Sequence, residues 1–487
     1  MRRSSTASAS KPSRGGRGSR RWVGVLLIVL ALAALPRCRR IPRLEAPQPP
    51  AAIVLTAHDR VLVLAPHPDD EVLGCGGIIQ QAMARGLPVR IAFLTYGDNN
   101  QWSFTVYRKY PVLLPKAVQG MGRVRHDEAL AASKILGVAP EQLTFLGYPD
   151  FGTLHLWNDH WDDRPPFRSM LTRVTAVPYE SALRPGAAYK GDDVLRDLTA
   201  VFRAFKPTKV FVSHPGDQMP DHLALYLFTR VALWDLAAEM QPEVYAYLIH
   251  FARWPSPRGF RPVEPLRPPR QFKDGMTWIS QPVSPAEVAR KREAIAAHRS
   301  QYLASRRSLL SFIRPNELFG DFPAIALGHA ANSVALFGDH QTPPTESAEQ
   351  LTDVERAAFV GVETRTVQRD GDDLVLVTDF SRPLGQAVEA SVYVFGYRSD
   401  FAFAKMPKLH IRIGALDASV YDQGARLPRE SVRVSRTAKQ ITLRIPLSAL
   451  GDPQRILTSA RTYLGEVPLD WVSWRVLELP GTIGSSE

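Results

Sequence analysis

The chain has few cysteines for its length and lacks acidic residues near its start. Of its two cysteines in 487 residues, Cys38 lies beside an apolar segment and Cys75 lies near a polar motif, so no structural disulfide between them is expected. The cysteine content is compatible with both a reducing and an oxidising compartment. The chain has 60 basic and 48 acidic residues, and 11 of the basic residues but none of the acidic ones precede Glu45. The chain from Glu45 onward therefore has 49 basic and 48 acidic residues. The formal charge of +12 therefore belongs to the N-terminal segment, and no nucleic-acid partner is expected for the folded part.

The uncharged run from Trp22 to Leu35 has 14 residues, fewer than the roughly 20 of a comfortable bilayer span. Basic residues flank the run on both sides, more of them before it than after it. We expect a basic cytoplasmic tail over 1–21, a membrane anchor or signal segment over 22–36 and a linker over 37–52. The folded part would then be membrane-anchored outside the cytoplasm, or exported.

From about residue 53 the chain alternates short apolar runs with helix-like segments. Runs without polar alternation predict strands buried on both faces, as in a parallel sheet. The chain has no GxGxxG motif, so Gly74, Gly76 and Gly77 indicate close helix packing rather than phosphate binding. The sequence predicts a Rossmann-like, mostly parallel α/β sheet flanked by helices over 53–340, with strands at Val61–Ala65, Val89–Thr95, 143–147 and Lys209–Ser213 and helices at 72–85, 125–136, 192–205 and 285–303.

The pattern changes after about residue 346, where short β-type segments with period-two alternation are joined by Gly, Asp and Pro turns. This pattern is typical of an antiparallel β-sandwich, which we expect over 346–487. Glycan binding and structural support are both open roles for it. The predicted strands are 374–377, 391–395, 409–413, 431–434, 441–445 and 471–476.

Two polar clusters follow buried strands of the α/β part. The first is Pro66-His67-Pro68-Asp69-Asp70-Glu71, and the second runs from His214 to His222. Adjacent carboxylates repel one another unless they share a cation or divide their tasks. A metal allows both, because one carboxylate binds it and the other accepts a proton from water. With one Asp and two His meeting at one sheet edge, a three-ligand catalytic site is expected.

These motifs resemble the signature of the PIG-L/LmbE-like deacetylases, zinc enzymes that remove acetyl groups from N-acetylglucosaminyl substrates. The resemblance covers about residues 58–320. It implies Zn²⁺, or another divalent metal, bound by His67, Asp70 and His222, with Asp69 as general base. By the same resemblance Arg125 and Asp150 hold the sugar.

One position departs from the family pattern. Many members have a His three residues before the final metal-binding His, where this chain has Met219. His214 is the nearest replacement on the same loop. We therefore expect His214 to stabilise the oxyanion of the reaction.

The expected function is removal of an acetyl group from an N-acetylglucosamine-type sugar in a glycan or glycoconjugate. One alternative is a zinc amidase that acts on another N-acyl small molecule. Another is a non-catalytic glycan-binding protein with a degenerate metal site. The expected partners are the acetylated sugar and, through the N-terminal segment, a membrane; the sequence leaves the oligomeric state open.

Overall fold

The computed structural model describes residues 52–480, except 110–113, 273–274, 329–331, 337–350 and 386. The described residues belong to one compact unit. None of their helices has both the length and the apolar character that crossing a bilayer requires. The expected tail, membrane segment and most of the linker, residues 1–51, lie outside the described residues.

A seven-stranded sheet forms the centre of the α/β part, in the order β3-β2-β1-β4-β5-β7-β6. Strands β1 to β5 run parallel, and β6 and β7 are antiparallel additions at one side. The fold class predicted from the apolar runs is confirmed. The strands are β1 (Val61–Ala65), β2 (Val89–Thr95), β3 (Leu143–Tyr148), β4 (Lys209–Ser213), β5 (Glu243–Tyr247), β6 (Thr277–Pro282) and β7 (Asn316–Asp321).

Eight α-helices accompany this sheet in the part of the chain that the structure describes. The predicted capping box at Ser284 is present, since its side chain accepts the backbone N–H of Glu287. The helix expected to run to residue 303 is instead two helices that meet at His298, where the backbone is not helical. The helices are α1 (Asp70–Ala84), α2 (Gln101–Arg108), α3 (Pro115–Ile135), α4 (Thr153–Asp159), α5 (Gly191–Phe205), α6 (Pro220–Asp235), α7 (Pro285–Ala297) and α8 (Arg299–Leu309).

Two sheets of mostly antiparallel strands form the C-terminal part, as the alternation predicts, together with a short helix, α9 (Asp353–Ala358). One sheet has the order β16-β17-β11-β10-β9 and the other β15-β14-β13-β12-β18-β20-β8, with β19 paired to β18. Buried apolar side chains of both sheets form one cluster. The strands are β8 (Ile325–Ala326), β9 (Val334–Ala335), β10 (Val362–Asp370), β11 (Asp373–Phe380), β12 (Val388–Tyr397), β13 (Lys408–Ile413), β14 (Ala418–Asp422), β15 (Ala425–Arg426), β16 (Arg433–Arg436), β17 (Gln440–Pro446), β18 (Arg455–Leu464), β19 (Val467–Trp471) and β20 (Arg475–Glu478).

The predicted strand over 471–476 is wrong, because β19 ends at Trp471 and β20 begins only at Arg475. The intervening Trp474 is buried and packs edge-on against Trp157 of α4. Trp157 also stacks on Phe395 and Phe403 of the sandwich, at centroid distances of 5.7 and 5.3 Å. An aromatic junction therefore joins the sandwich to the helix that follows β3, close to the sheet edge where the polar motifs lie.

Candidate metal centre and active site

The first polar motif joins the carboxyl end of β1 to the N-terminus of α1. His67 follows the strand, and Asp70 is the first residue of the helix. Both are buried, and Asp70 Oδ2 lies 3.1 Å from both the backbone N and the Nδ1 atom of His67. Between them Asp69 has φ of +128°, a strained conformation for a residue with a side chain. The turn thus holds an imidazole and a carboxylate against each other.

His222 comes to the same place from the first turn of α6. Its Nε2 lies 3.1 Å from Asp70 Oδ2, yet it has no hydrogen-bond partner of acceptable geometry. Two ligands of a tetrahedral metal with bonds of about 2.0 Å lie about 3.3 Å apart. The fully buried set of His67, Asp70 and His222 therefore fits a divalent metal that prefers nitrogen and oxygen ligands.

Three more carboxylates surround the two imidazoles on their far sides. Asp150 Oδ1 and Asp221 Oδ2 each lie 3.1 Å from His67 Nε2, and Asp217 Oδ2 lies 3.1 Å from His222 Nδ1. Second contacts of this kind orient metal-binding imidazoles and make them more basic. Although burial lowers the pKa of His222, the carboxylates of Asp217 and Asp70 raise it more, to about 9. A bound cation would replace the protons that this negative environment favours.

Asp69 lies outside this donor set and faces Arg125. Burial raises the pKa of Asp69 to about 7, although the nearby guanidinium opposes the shift. Arg125 Nη2 lies 3.1 Å from Asp69 Oδ1, while Nη1 donates to the carbonyl of Gly97 at 2.8 Å. Gly97 is required there, because a Cβ at this position would collide with the guanidinium. Asp69 is thus a positioned carboxylate that is free to exchange a proton near neutral pH.

A cleft of about 440 Å³ opens on these groups. His67, Asp70 and Asp69 contribute to its floor, and the predicted sugar-binding residues Arg125 and Asp150 line it too. Phe151, an exposed residue, and His250 line it as well. The structure thus brings together six of the seven predicted site residues, counting His222 beneath the floor, and their roles stay predictions.

Comparisons with known proteins assign the segment that carries these residues to one family. The profile of the family described as "PIG-L: GlcNAc-PI de-N-acetylase" matches residues 62–233, from β1 into α6. Residues 62–233 form a PIG-L family domain. The matched segment contains both polar motifs and all three residues of the donor set.

Two curated relatives of the PIG-L domain are each named 1D-myo-inositol 2-acetamido-2-deoxy-alpha-D-glucopyranoside deacetylase. The one from Actinosynnema mirum is 29% identical over 37% of this chain and 57% of its own length. The one from Mycobacterium sp. (strain KMS) is 30% identical over 38% of this chain and 53% of its own length. The chain thus spans about half the length of these relatives.

Among solved structures, the N,N'-diacetylchitobiose deacetylase from Pyrococcus horikoshii is 20% identical to this chain. The alignment covers 50% of this chain and 70% of that one. Its TM-score of 0.31 is too low to bear on the geometry of the PIG-L domain.

The structure places His214 apart from the other six predicted site residues. Its ring is buried outside the cleft, stacked on Trp278 at 5.4 Å and 14°. Nδ1 accepts the N–H of Gly216 at 2.9 Å, and Nε2 lies 3.3 Å from Met276 Sδ. Burial lowers the pKa of His214 to about 3, so the ring is neutral. The prediction relied on the closeness of His214 to Met219 along the sequence. At the end of the strand, however, the His214 side chain points into the apolar core.

His250, which sequence reasoning missed, lines the cleft instead. Its ring is nearly perpendicular to that of His222, at a centroid distance of 4.8 Å. Its backbone N–H donates to Asp217 Oδ2 at 2.9 Å, which ties the end of β5 to the second motif. The supporting carboxylates Asp217 and Asp221 were also missed, although both lie within the second motif and their spacing before His222 was a usable signal.

Proposed function

We propose that this chain is a metal-dependent deacetylase that removes the acetyl group from an N-acetylglucosamine-type sugar. The observation that carries the proposal is the pairing of a buried His/Asp/His donor set with a separate carboxylate, Asp69, in one cleft. The PIG-L domain and the names of its relatives support the acetylated sugar as substrate class.

His67 Nδ1, Asp70 Oδ2 and His222 Nε2 would hold the metal, and three protein ligands leave a position open for water or substrate. A divalent metal such as Zn²⁺ supplies a Lewis acid and makes a water molecule more acidic. Asp150, Asp221 and Asp217 would fix the two imidazoles from behind.

Asp69 carries the proton transfers in this proposal. Its carboxylate accepts a proton from the attacking water, whose oxygen adds to the acetamide carbonyl carbon. Asp69 then returns the proton to the amide nitrogen, the C–N bond breaks, and acetate and the free amine leave. Arg125 holds the carboxylate in place through the 3.1 Å contact and keeps it partly ionised near neutral pH.

His250 takes the task that His214 cannot perform. Met219 also lines the cleft but offers no hydrogen-bond donor for the negative oxygen of the tetrahedral intermediate. Desolvation in the cleft and the neighbouring His222 lower the pKa of His250, so a neutral imidazole donates its N–H. The bond between its backbone and Asp217 holds the ring beside the donor set.

Replacement of Asp69 by Asn tests the proposal. With N-acetylglucosamine and its glycosides as substrates, acetate release should fall by at least about a thousandfold, since the base is lost while the shape is kept. Metal content, measured by inductively coupled plasma mass spectrometry, should stay at the wild-type level. Loss of the metal would assign Asp69 to coordination instead. A metal-loaded wild-type chain that releases no acetate from any N-acetyl sugar would favour a glycan-binding protein.

A further inference from the structure

A second cleft adjoins the first, between α4 and the sandwich strands β12, β13 and β18. Its volume is about 310 Å³, within the range of sites for small ligands. Phe151 borders both clefts, and the step from Met219 to Pro220 passes from one lining to the other. The two clefts are therefore neighbours, and Phe151 lies at their common border.

Phe151 stands at the junction in an unusual conformation. Its φ is +58°, in the left-handed region that a Phe rarely adopts, and 44% of the residue is exposed. The backbone N–H donates to Asp221 Oδ2 at 2.6 Å, and the same oxygen lies 3.1 Å from His67 Nε2. The carboxylate that supports the metal-binding imidazole thus also holds an exposed aromatic ring between the clefts. Strain of this kind is concentrated at functional sites.

The walls of the second cleft combine rings with donors and acceptors of both charges. His410 stacks on Tyr393 at 4.4 Å and lies 3.0 Å from the hydroxyl of Ser391. Arg412 Nη2 donates to Glu389 at 2.6 Å. Further lining groups are Arg461, Tyr463, Asn158, Asp159 and Glu466. Because two guanidiniums and three carboxylates line the cleft together, it suits a neutral ligand with many hydroxyl groups and an apolar face rather than an anion.

We infer that the sandwich supplies a subsite for the sugar unit next to the N-acetylated one, with Phe151 as the platform between them. The inference rests on the proposed function for the identity of the first cleft's ligand. It makes the preferred substrate an oligosaccharide or glycoconjugate rather than a monosaccharide. It also gives the C-terminal part a direct role in substrate selection.

Binding to the unreactive D69N chain tests the inference without turnover. The probes are N-acetylglucosamine and its β-1,4-linked dimer to tetramer, titrated by calorimetry. We expect the tetramer to bind at least tenfold more tightly than the monomer. Equal affinities for monomer and tetramer would overturn the subsite.

Two substitutions, each made in the D69N chain, test which residues make the tetramer bind more tightly than the monomer. Phe151→Ala removes the ring while the left-handed backbone costs Ala about as much as it costs Phe. Arg412→Ala removes an exposed donor of the second cleft. Each substitution should reduce the affinity ratio of tetramer to monomer to threefold or less. The matched controls are Phe401→Ala, another exposed ring, and Arg444→Ala, whose carboxylate pair with Asp370 lies on the other sheet. Both controls should keep the advantage. Retention of the full advantage in Arg412→Ala and Phe151→Ala would contradict the inference.

Activity separates this inference from the proposed function. If the wild-type chain releases acetate from monomer and tetramer with equal kcat/KM and binds them equally, the subsite is wrong while the deacetylase stands. If no acetate is released but the tetramer's advantage depends on Phe151 and Arg412, the subsite stands and the deacetylase is wrong.

Discussion

The sheet edge of the α/β part and the C-terminal sandwich both bury charged side chains, but they compensate the charges differently. In the sandwich, two buried ionisable side chains meet backbone groups: Lys408 Nζ donates to the carbonyls of Phe403 and Met406 at 2.6 and 2.9 Å, and Asp470 accepts two backbone N–H groups. At the sheet edge, carboxylates and imidazoles face one another instead. Charges that the backbone satisfies need no ligand, whereas the edge cluster presents a set of nitrogen and oxygen donors that could hold a cation.

The largest expected effect concerns the aromatic junction, because its loss tests whether the two regions fold as one body. Trp157 is fully buried and contacts rings from both regions. Trp157→Ala should lower the free energy of unfolding by about 3–5 kcal/mol, as expected for a large buried side chain. Urea denaturation followed by circular dichroism measures it. The exposed Phe401→Ala should change stability by less than about 0.5 kcal/mol; a similarly small effect at Trp157 would show that the regions are energetically separate.

Loss of His250 should remove a transition-state contact from the edge cluster. His250→Ala is expected to lower kcat by about 10²–10³-fold, the usual effect of losing one oxyanion donor. His250→Gln, which keeps an N–H donor, should recover part of the rate. The exposed His58→Ala is the control, and metal content must stay unchanged throughout. Full activity in His250→Ala would remove this residue from the mechanism.

Asp217 tests whether the outer carboxylates support the metal. Asp217→Asn should weaken metal binding about 10–100-fold, since Asp217 contacts His222 Nδ1 at 3.1 Å. Competition with a chelator measures the affinity. Asp127→Asn, an exposed carboxylate on α3, should have no effect. An unchanged affinity in Asp217→Asn would mean that the contact is structural only.

The last test concerns a buried carboxyl group of the sandwich. Burial raises the pKa of Asp470 to about 7, although its two N–H donors oppose the shift. The folded chain therefore binds this proton more tightly than the unfolded chain, whose Asp has a pKa of about 4, so this contribution to stability is lost as pH rises from about 4 to 7. The free energy of unfolding, measured by denaturation between about pH 4 and 7, should therefore fall with rising pH. Asp470→Asn should reduce this slope by up to about 1.4 kcal/mol per pH unit. Asp372→Asn, at an exposed turn, should leave the slope unchanged; an unaltered slope in Asp470→Asn would show that the site is not protonated.

Sequence patterns predicted the buried centre of the fold well. Strands β1, β2 and β4 were predicted to the residue, because central parallel strands are apolar without interruption. Strand β5 was missed, since three of its five residues are exposed or partly exposed and its pattern is mixed. The antiparallel β6 and β7 were missed as well.

For the candidate site, too, local sequence predicted some residues, while others depend on tertiary contacts. His67, Asp69 and Asp70 follow one strand directly, so local sequence was enough to group them. The position of His250 depends on the pairing of β5 with β4, and the inward turn of His214 depends on the packing of Trp278. Both are tertiary contacts between distant segments, which a single sequence does not reveal.

Metal content compared between the wild-type chain and Asp70→Asn, with acetate release measured on the same samples, tests the central claim most directly. Because the Asp70 carboxylate lies 3.1 Å from a nitrogen of both His67 and His222, its loss should empty the donor set. We expect one divalent metal per wild-type chain, less than a tenth of that in Asp70→Asn, and acetate only from the metal-loaded samples. Full metal content in Asp70→Asn, or acetate release by a chain stripped of metal, would contradict the account.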